Sequence, residues 1–289
     1  MHPKPITRRG HANTAVSAAF IGLLAVSAMP TMAGTARASA AEGVASACPA
    51  VPEALTKWRA FPGEPPPPSA EDLAAYRAYQ RELQAVDWAY LCRYREDNQR
   101  LSGGPPPRVV LIGDSITENW KQRDPDPFVD GVIDRGISGQ TTPQMLLRFH
   151  QDVIALRPRV VHIMAGTNDV AGNTGPTSDT QFQHNIEAMV ELAQVHGIKV
   201  ALASIPPAKA FYSRPDARPA QRIRQGNDWL RAYARERGLV FVDYYPVLAD
   251  ADGGLRADLG GDGVHPSKAG YQRMDPLFAA AVAEAERRR

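Results

Sequence analysis

The chain has 289 residues and a mass of 31.4 kDa, with 44% apolar, 22% charged and 7% aromatic side chains. That apolar share supports a folded core and excludes wholesale disorder or a collagen-like repeat. Its 33 basic and 31 acidic residues leave a formal charge of +2, which without a long basic run argues against nucleic-acid binding, and two cysteines cannot build a zinc ribbon or a disulfide scaffold.

Residues 1–40 contain Lys4, Arg8, Arg9 and Arg37 and no acid. The first three precede an apolar, uncharged run from Ala15 to Met29, closed by Pro30, and Ala38-Ser39-Ala40 satisfies the A-x-A rule of signal peptidase. A signal peptide cleaved near Ala40 is expected, with an uncleaved anchor as the alternative. Many small and polar residues make the run a poor membrane span. The surroundings of Arg8-Arg9 fit twin-arginine export poorly, and Cys48 lies far beyond the apolar run for a lipid-modified cysteine. Without this segment the chain holds 29 basic and 31 acidic residues, about −2, and no membrane span is expected in it. A periplasmic or secreted location follows, in which Cys48 and Cys92 are able to pair. Such a disulfide closes a loop of 43 residues and contributes roughly a few kcal/mol; the alternative is two buried thiols.

Residues 41–107 read as a proline-rich arm and a long helix packed on the main domain. Pro65 to Pro68 are consecutive, and Ser69 followed by Asp72 forms a capping box that opens the helix. Leu73, Tyr76, Tyr79, Leu83, Val86, Tyr90 and Tyr94 recur at spacings of three or four, a single helical stripe. Packing on the main domain is the first reading of that stripe; aromatics lining a substrate cleft are the second. Gly103-Gly104-Pro105-Pro106-Pro107 then interrupts the chain.

Residues 108–289 alternate strands and helices. Short apolar runs at Val109–Ile112, Val132-Ile133, Val160–Met164, Val200–Ile205 and Val240–Val242 are separated by helical segments near 143–156, 180–196 and 219–237, and a last helix covers 269–287. Pro143 after Thr142 suits a helix start, and Gly197 and Gly238 suit helix ends. Five buried strands alternating with helices predict an α/β fold of three layers, α/β/α, around a five-stranded parallel sheet. Ligand sites in such sheets lie beyond the carboxyl ends of the strands.

Four polar, glycine-bearing segments follow predicted strands: Gly113-Asp114-Ser115-Ile116-Thr117, Gly136-Ile137-Ser138-Gly139, Gly166-Thr167-Asn168-Asp169 and Asp262-Gly263-Val264-His265-Pro266. Together they hold a hydroxyl, an imidazole with a carboxylate three residues away, and several oxyanion donors, which is what acyl transfer requires. Singly, each has a plain explanation: Asp262 and His265 as a surface turn, Asn168 as a turn residue, Gly139 as a backbone with positive φ. Their common position at strand ends and their complementary chemistry count against that. Ser138 is a weaker nucleophile candidate, with no base expected near it. His162 alternates within a strand and reads as a core residue, whereas His150, His184 and His196 fall on helix surfaces.

The order Ser115, Gly139, Asn168, His265 resembles the four blocks of the SGNH hydrolases, the GDSL lipase/esterase superfamily, over residues 108–289. Asp87-Trp88 through Arg93-Tyr94-Arg95 is similar to a lead-in helix of exported bacterial members. The resemblance implies a flavodoxin-like, doubly wound SGNH hydrolase fold with an N-terminal helical extension. It further implies Ser115 as nucleophile at a helix start, His265 as general base and then acid, and Asp262 as the residue that orients the imidazole. It also implies an oxyanion hole formed by the backbone N–H groups of Ser115 and Gly139 and the side chain of Asn168, with no metal or organic cofactor. The implied substrate is a small-molecule or glycan acyl ester, with a short, acetyl-sized acyl group on a carbohydrate preferred. A lysophospholipase or thioesterase, or a polysaccharide O-acyltransferase on the same scaffold, is the alternative. Trp120, Phe211 and Tyr212 follow the first and fourth strands and are the candidate substrate contacts.

Overall fold

A computed structural model describes residues 48–53, 56, 69–211 and 217–288. The expected signal segment, most of the proline-rich arm and Tyr212 lie outside the described residues. Five parallel strands form the sheet: β1 (Val109–Gly113), β2 (Val132–Gly136), β3 (Val160–Met164), β4 (Lys199–Ala203) and β5 (Val240–Val242), in the order β2-β1-β3-β4-β5. Val109 is in register with both Val132 and Val160, so the three strands at the centre of the site end level with one another.

The two faces of the sheet follow the alternation of side chains along each strand. Val110, Ile112, Val161, Ile163, Val200 and Leu202 face one helical layer, made by α4 (Thr142–Asp152), α6 (Asp179–Val195) and α7 (Pro219–Glu236). Val109, Leu111, Val160, Ala201, Val240 and Val242 face the other, made by α3 (Ser115–Arg123) and α9 (Lys268–Arg287). Buried on both faces, the strands read as continuous apolar runs, which makes them legible in the sequence. Two short helices, α5 (Thr167–Ala171) and α8 (Tyr245–Leu248), follow β3 and β5 and carry no apolar period long enough to predict.

Helix starts are partly legible. Ser69 and Asp72 form the expected capping box at α1 (Ala70–Val86), and Ser178 with Gln181 does the same for α6. At α4 the cap is Thr141, one residue before the expected start, because Gln144 reaches back to its N–H.

The stripe from Leu73 to Tyr94 does not belong to one helix. α1 ends at Val86, and a second helix, α2, covers Arg95–Ser102. Asp87 divides them: its carboxylate accepts the N–H groups of Leu91 and Cys92, folding the chain into a turn in which Tyr90 has φ 54°. Cys92, on this turn, is joined to Cys48 by a disulfide. Tyr79, Leu83, Tyr90, Cys92 and Tyr94 bury together against Ile137, on the loop after β2.

Candidate active site

The carboxyl ends of β1, β2 and β3 open into a cavity of about 730 Å³, whose other wall is α1. Ser115, Gly139, Asn168, Asp262 and His265 all line it. Ser115 is the first residue of α3, where unpaired N–H groups and the helix field favour negative charge. The turn into α3 is tight. Asp114 caps it by accepting the N–H of Ile116 at 2.9 Å, and Gly113 and Gly136 let α3 cross the strand ends closely. A Cβ at Gly113 would overlap Thr117 and the Met164 carbonyl; at Gly136 it would overlap the Glu118 backbone.

A chain of short hydrogen bonds leads away from the hydroxyl. Ser115 Oγ lies 2.9 Å from His265 Nε2, and His265 Nδ1 lies 2.6 Å from Asp262 Oδ2. The second carboxylate oxygen of Asp262 accepts the N–H groups of Val264 and His265, at 2.9 and 2.7 Å. Burial opposes ionisation of Asp262, but the hydrogen bonds and positive field of His265 with these N–H groups outweigh it and hold the carboxyl well below the usual range. An ionised Asp262 fixes the Nδ1–H tautomer, leaving Nε2 free to accept a proton from Ser115.

The loop after β2 carries Gly139 with φ 81°, a conformation that suits glycine, and its Cα faces the hydroxyl of Tyr76 on α1. The preceding Ser138 donates both its N–H (2.8 Å) and its hydroxyl (2.5 Å) to Glu118 of α3. A carboxylate therefore stands where the sequence suggests no base, but Arg93 pairs with it at 3.2 Å and Ser138 serves as an anchor of the loop. Tyr94 donates to the Gly136 carbonyl at 2.5 Å, and Gln140 donates to that of Ala89 at 2.8 Å. Below the loop, the fully buried Arg148 holds Gln140 Oε1, the Gly113 carbonyl and Asp152.

Asn168 sits on α5. Its amide nitrogen points to Asp114 Oδ2 (3.2 Å) and the Gln140 carbonyl (3.0 Å), and its Oδ1 accepts from Asn173 at 2.7 Å. The adjacent Asp169 turns away into the fold, where it caps α4 through the N–H and hydroxyl of Thr142. Burial raises the pKa of Asp169, and pushes that of Asp114 up to about 6 against the pull of the Ile116 N–H and the positive field of His265.

The three expected substrate contacts fare differently. Phe211 lines the cavity while packing into the core. Tyr212 lies outside the described residues. Trp120 is not a contact: it is fully buried, stacked on Tyr271, and its indole N–H donates to Asp275. It follows Ile116 by four residues and so shares the core-facing side of α3, while Ser115 faces the cavity. His162 is a core residue bonded to Tyr244, and burial lowers its pKa to about 3. Sequence reasoning misses Asn173, Glu118 and Arg148, none of which carries a local pattern that distinguishes it from a surface polar residue. Tyr76 is legible only as one member of the apolar stripe. Among the described residues no three His, Cys, Asp or Glu side chains are grouped as metal ligands.

Residues 111–273 match the model of the GDSL-like lipase/acylhydrolase family, a span that takes in Ser115, Gly139, Asn168, Asp262 and His265 but not α1. The chain belongs to that family. Among its relatives is a proposed acylhydrolase of known structure from Bacteroides fragilis, 43% identical, with a TM-score of 0.67 over 70% of this chain and 99% of that one. An uncharacterised lipoprotein of Bacillus subtilis is 30% identical over 183 residues, 52% of this chain and 75% of the relative. An acetylxylan esterase of Geobacillus stearothermophilus is 26% identical over 212 residues, 62% and 95% of the two chains. As a GDSL-family acylhydrolase the chain is a carboxylic ester hydrolase.

Proposed function

We propose that this chain is a serine esterase that removes short acyl groups, acetyl foremost, from a carbohydrate through an acyl-enzyme on Ser115. The hydrogen-bonded series Ser115–His265–Asp262 carries the proposal. Ser115 Oγ attacks the acyl carbon as His265 Nε2 takes its proton; the imidazolium, stabilised by Asp262, returns that proton to the leaving alkoxide. Water, activated by the same imidazole, then releases the acid. The N–H groups of Ser115 and Gly139 and the amide of Asn168 hold the negative oxygen, each such donor contributing about 3–4 kcal/mol to the transition state. The carbohydrate assignment draws support from the acetylxylan esterase relative and from Tyr76 and Trp88, aromatic side chains that line the cavity. A location outside the cytoplasm, after removal of the N-terminal segment, draws support from the Cys48–Cys92 disulfide and the lipoprotein relative. No helix among the described residues is long and apolar enough to cross a membrane.

The test is release of p-nitrophenol from acetyl, butyryl and octanoyl esters by the wild-type chain and Ser115→Ala. A preference for acetyl and a loss of at least about a thousandfold on substitution are expected. Substantial turnover by Ser115→Ala would sink the mechanism, and a preference for octanoyl would move the substrate to lipid esters.

A further inference from the structure

Helix α1 is more than a support for the main domain. It enters the cavity at Tyr76, whose hydroxyl faces Gly139, and from there Arg77, Arg81 and Gln84 follow at spacings of four and three residues, with Trp88 on the turn just beyond the helix. These four side chains line the cavity and are exposed to solvent. Such spacing places Arg77, Arg81 and Gln84 along one face of the helix, with the Cα atoms of the two arginines about one turn, or about 6 Å, apart along the axis.

The charges in the cavity are unevenly committed. Of its acidic side chains, Asp72 is held by the N–H and hydroxyl of Ser69, and Asp262 by His265. Arg77 and Arg81 have no hydrogen bond or ion pair to any described residue, and among the described residues no other arginine or lysine lines the cavity. Two arginines one helical turn apart repel each other, and solvent-facing arginines elsewhere on this chain, such as Arg100, Arg231 and Arg256, have found acidic neighbours. An unpaired guanidinium at a cavity wall is a ready fork for a carboxylate.

The geometry points to an acidic glycan as the carrier of the ester: a chain of sugars bearing carboxylates, bound along α1 with its uronate groups on Arg77 and Arg81, a sugar ring against Trp88, and its acyl ester at Ser115. This rests on the esterase reading above and deepens it. The acyl group enters beside Gly139 and Asn168, while the carboxylates contact α1 and take no part in the chemistry. The arginines therefore act on substrate binding, and their contribution weakens with salt because both are exposed.

The experiment compares three probes: p-nitrophenyl acetate, an O-acetylated methyl glucuronoside, and the same compound as its neutral methyl ester. Hydrolysis of the first by wild type tests the esterase reading by itself. The ratio of kcat/KM for the carboxylate over the methyl ester tests the acidic carrier, and general damage to a variant cancels in it. A ratio of about threefold to fivefold at low salt is expected for the wild type, from one carboxylate meeting the exposed arginines with ordinary strength. The ratio should arise in KM, fall towards one in Arg77→Gln/Arg81→Gln, and drop below one in Arg77→Glu/Arg81→Glu. A wild-type ratio of one or less, or one that the double substitutions leave unchanged, overturns the inference even when p-nitrophenyl acetate is turned over. Faster hydrolysis of lysophosphatidylglycerol than of the uronoside, lost in the same variants, would assign the arginines to a phospholipid and overturn it equally.

Discussion

Asn173 donates its side-chain amide to Asn168 Oδ1 at 2.7 Å and reaches the Gly139 carbonyl at 3.3 Å. One exposed side chain thus ties together two of the three proposed oxyanion donors. The contact with Oδ1 fixes which way the Asn168 amide faces, since a flipped amide would oppose nitrogen to nitrogen. Gly172, left-handed at the end of α5, turns the chain back so that Asn173 reaches this position. Asn173→Ala should lower kcat by about tenfold to a hundredfold with little change in KM, on the scale of a weakened oxyanion donor. Asn173→Asp, which sets an acceptor against Oδ1, should be worse than alanine. Steady-state kinetics on p-nitrophenyl acetate provide the check; a change confined to KM would assign Asn173 to substrate contact alone.

The pairing of His265 with Asp262 sets the expected pH dependence. Asp262 is held well below the usual carboxylate range, so it stays ionised throughout the range in which an imidazole titrates. The proposed reaction needs a neutral imidazole to take the proton of Ser115. We expect kcat/KM to rise between about pH 5 and 8 with a slope of one. Asp262→Asn should lower the rate by about two to four orders of magnitude, because the wrong tautomer is then allowed. A pH–rate profile of both proteins decides this; a wild-type rate independent of pH across that interval removes His265 as the base. For stability the sign is also fixed. A depressed carboxylate pKa stabilises the fold above the unfolded value of about 3.9 and loses that contribution as pH falls through the folded value, so Asp262 stabilises the fold throughout the neutral range and its contribution disappears only in acid.

The Cys48–Cys92 disulfide closes a loop with a sequence separation of 44 and secures the turn that carries Tyr94. Loop closure of that size is worth about 3–4 kcal/mol through the unfolded state. The same turn supports the loop of Gly139 through Tyr94 and the Ala89 carbonyl. Cys48→Ala/Cys92→Ala, or reduction of the wild type, should lower Tm by roughly 10 °C. It should also reduce kcat at temperatures where the protein stays folded. Thermal melts with and without reductant, paired with rates at about 20 °C, separate the two effects. An unchanged melting curve would mean that the disulfide constrains neither state.

How much of this is legible in the sequence depends on whether the cause is local. Strands buried on both faces advertise themselves as runs such as Val160–Met164, and caps such as Ser69 with Asp72 are set by residues three apart. The residues gathered in the cavity are legible because chemistry and strand order converge on them. What fails is orientation. Trp120 follows the first strand, as a substrate contact should, but a four-residue step from Ile116 turns it into the core. The helix expected through Tyr94 is broken by Asp87, whose side chain competes for N–H groups that a helix would use. Asn173, Glu118 and Arg148 act across 5 to 35 residues of chain, through partners that only the folded sheet brings near.

Asp114 couples the turn that carries Ser115 to the side chain of Asn168. Its Oδ1 caps α3 at Ile116, and its Oδ2 faces the amide of Asn168. Burial pushes its pKa up to about 6, so the folded protein binds this proton more tightly than the unfolded chain does. The stability it contributes is complete below the unfolded pKa of about 3.9 and is lost as pH rises through about 6. An asparagine in its place would cap the helix equally well but carries no titrating proton. Between about pH 4 and 8 the stability of Asp114→Asn relative to wild type should therefore improve by about 2 kcal/mol. The substitution has a catalytic cost. With its oxygen on the Ile116 N–H, the new amide sets a donor against the Asn168 donor, and kcat should fall by about tenfold or more. Urea unfolding at the two pH values, alongside kcat for both proteins, tests the assignment. A relative stability that does not change with pH would show that Asp114 titrates alike in the folded and unfolded chains.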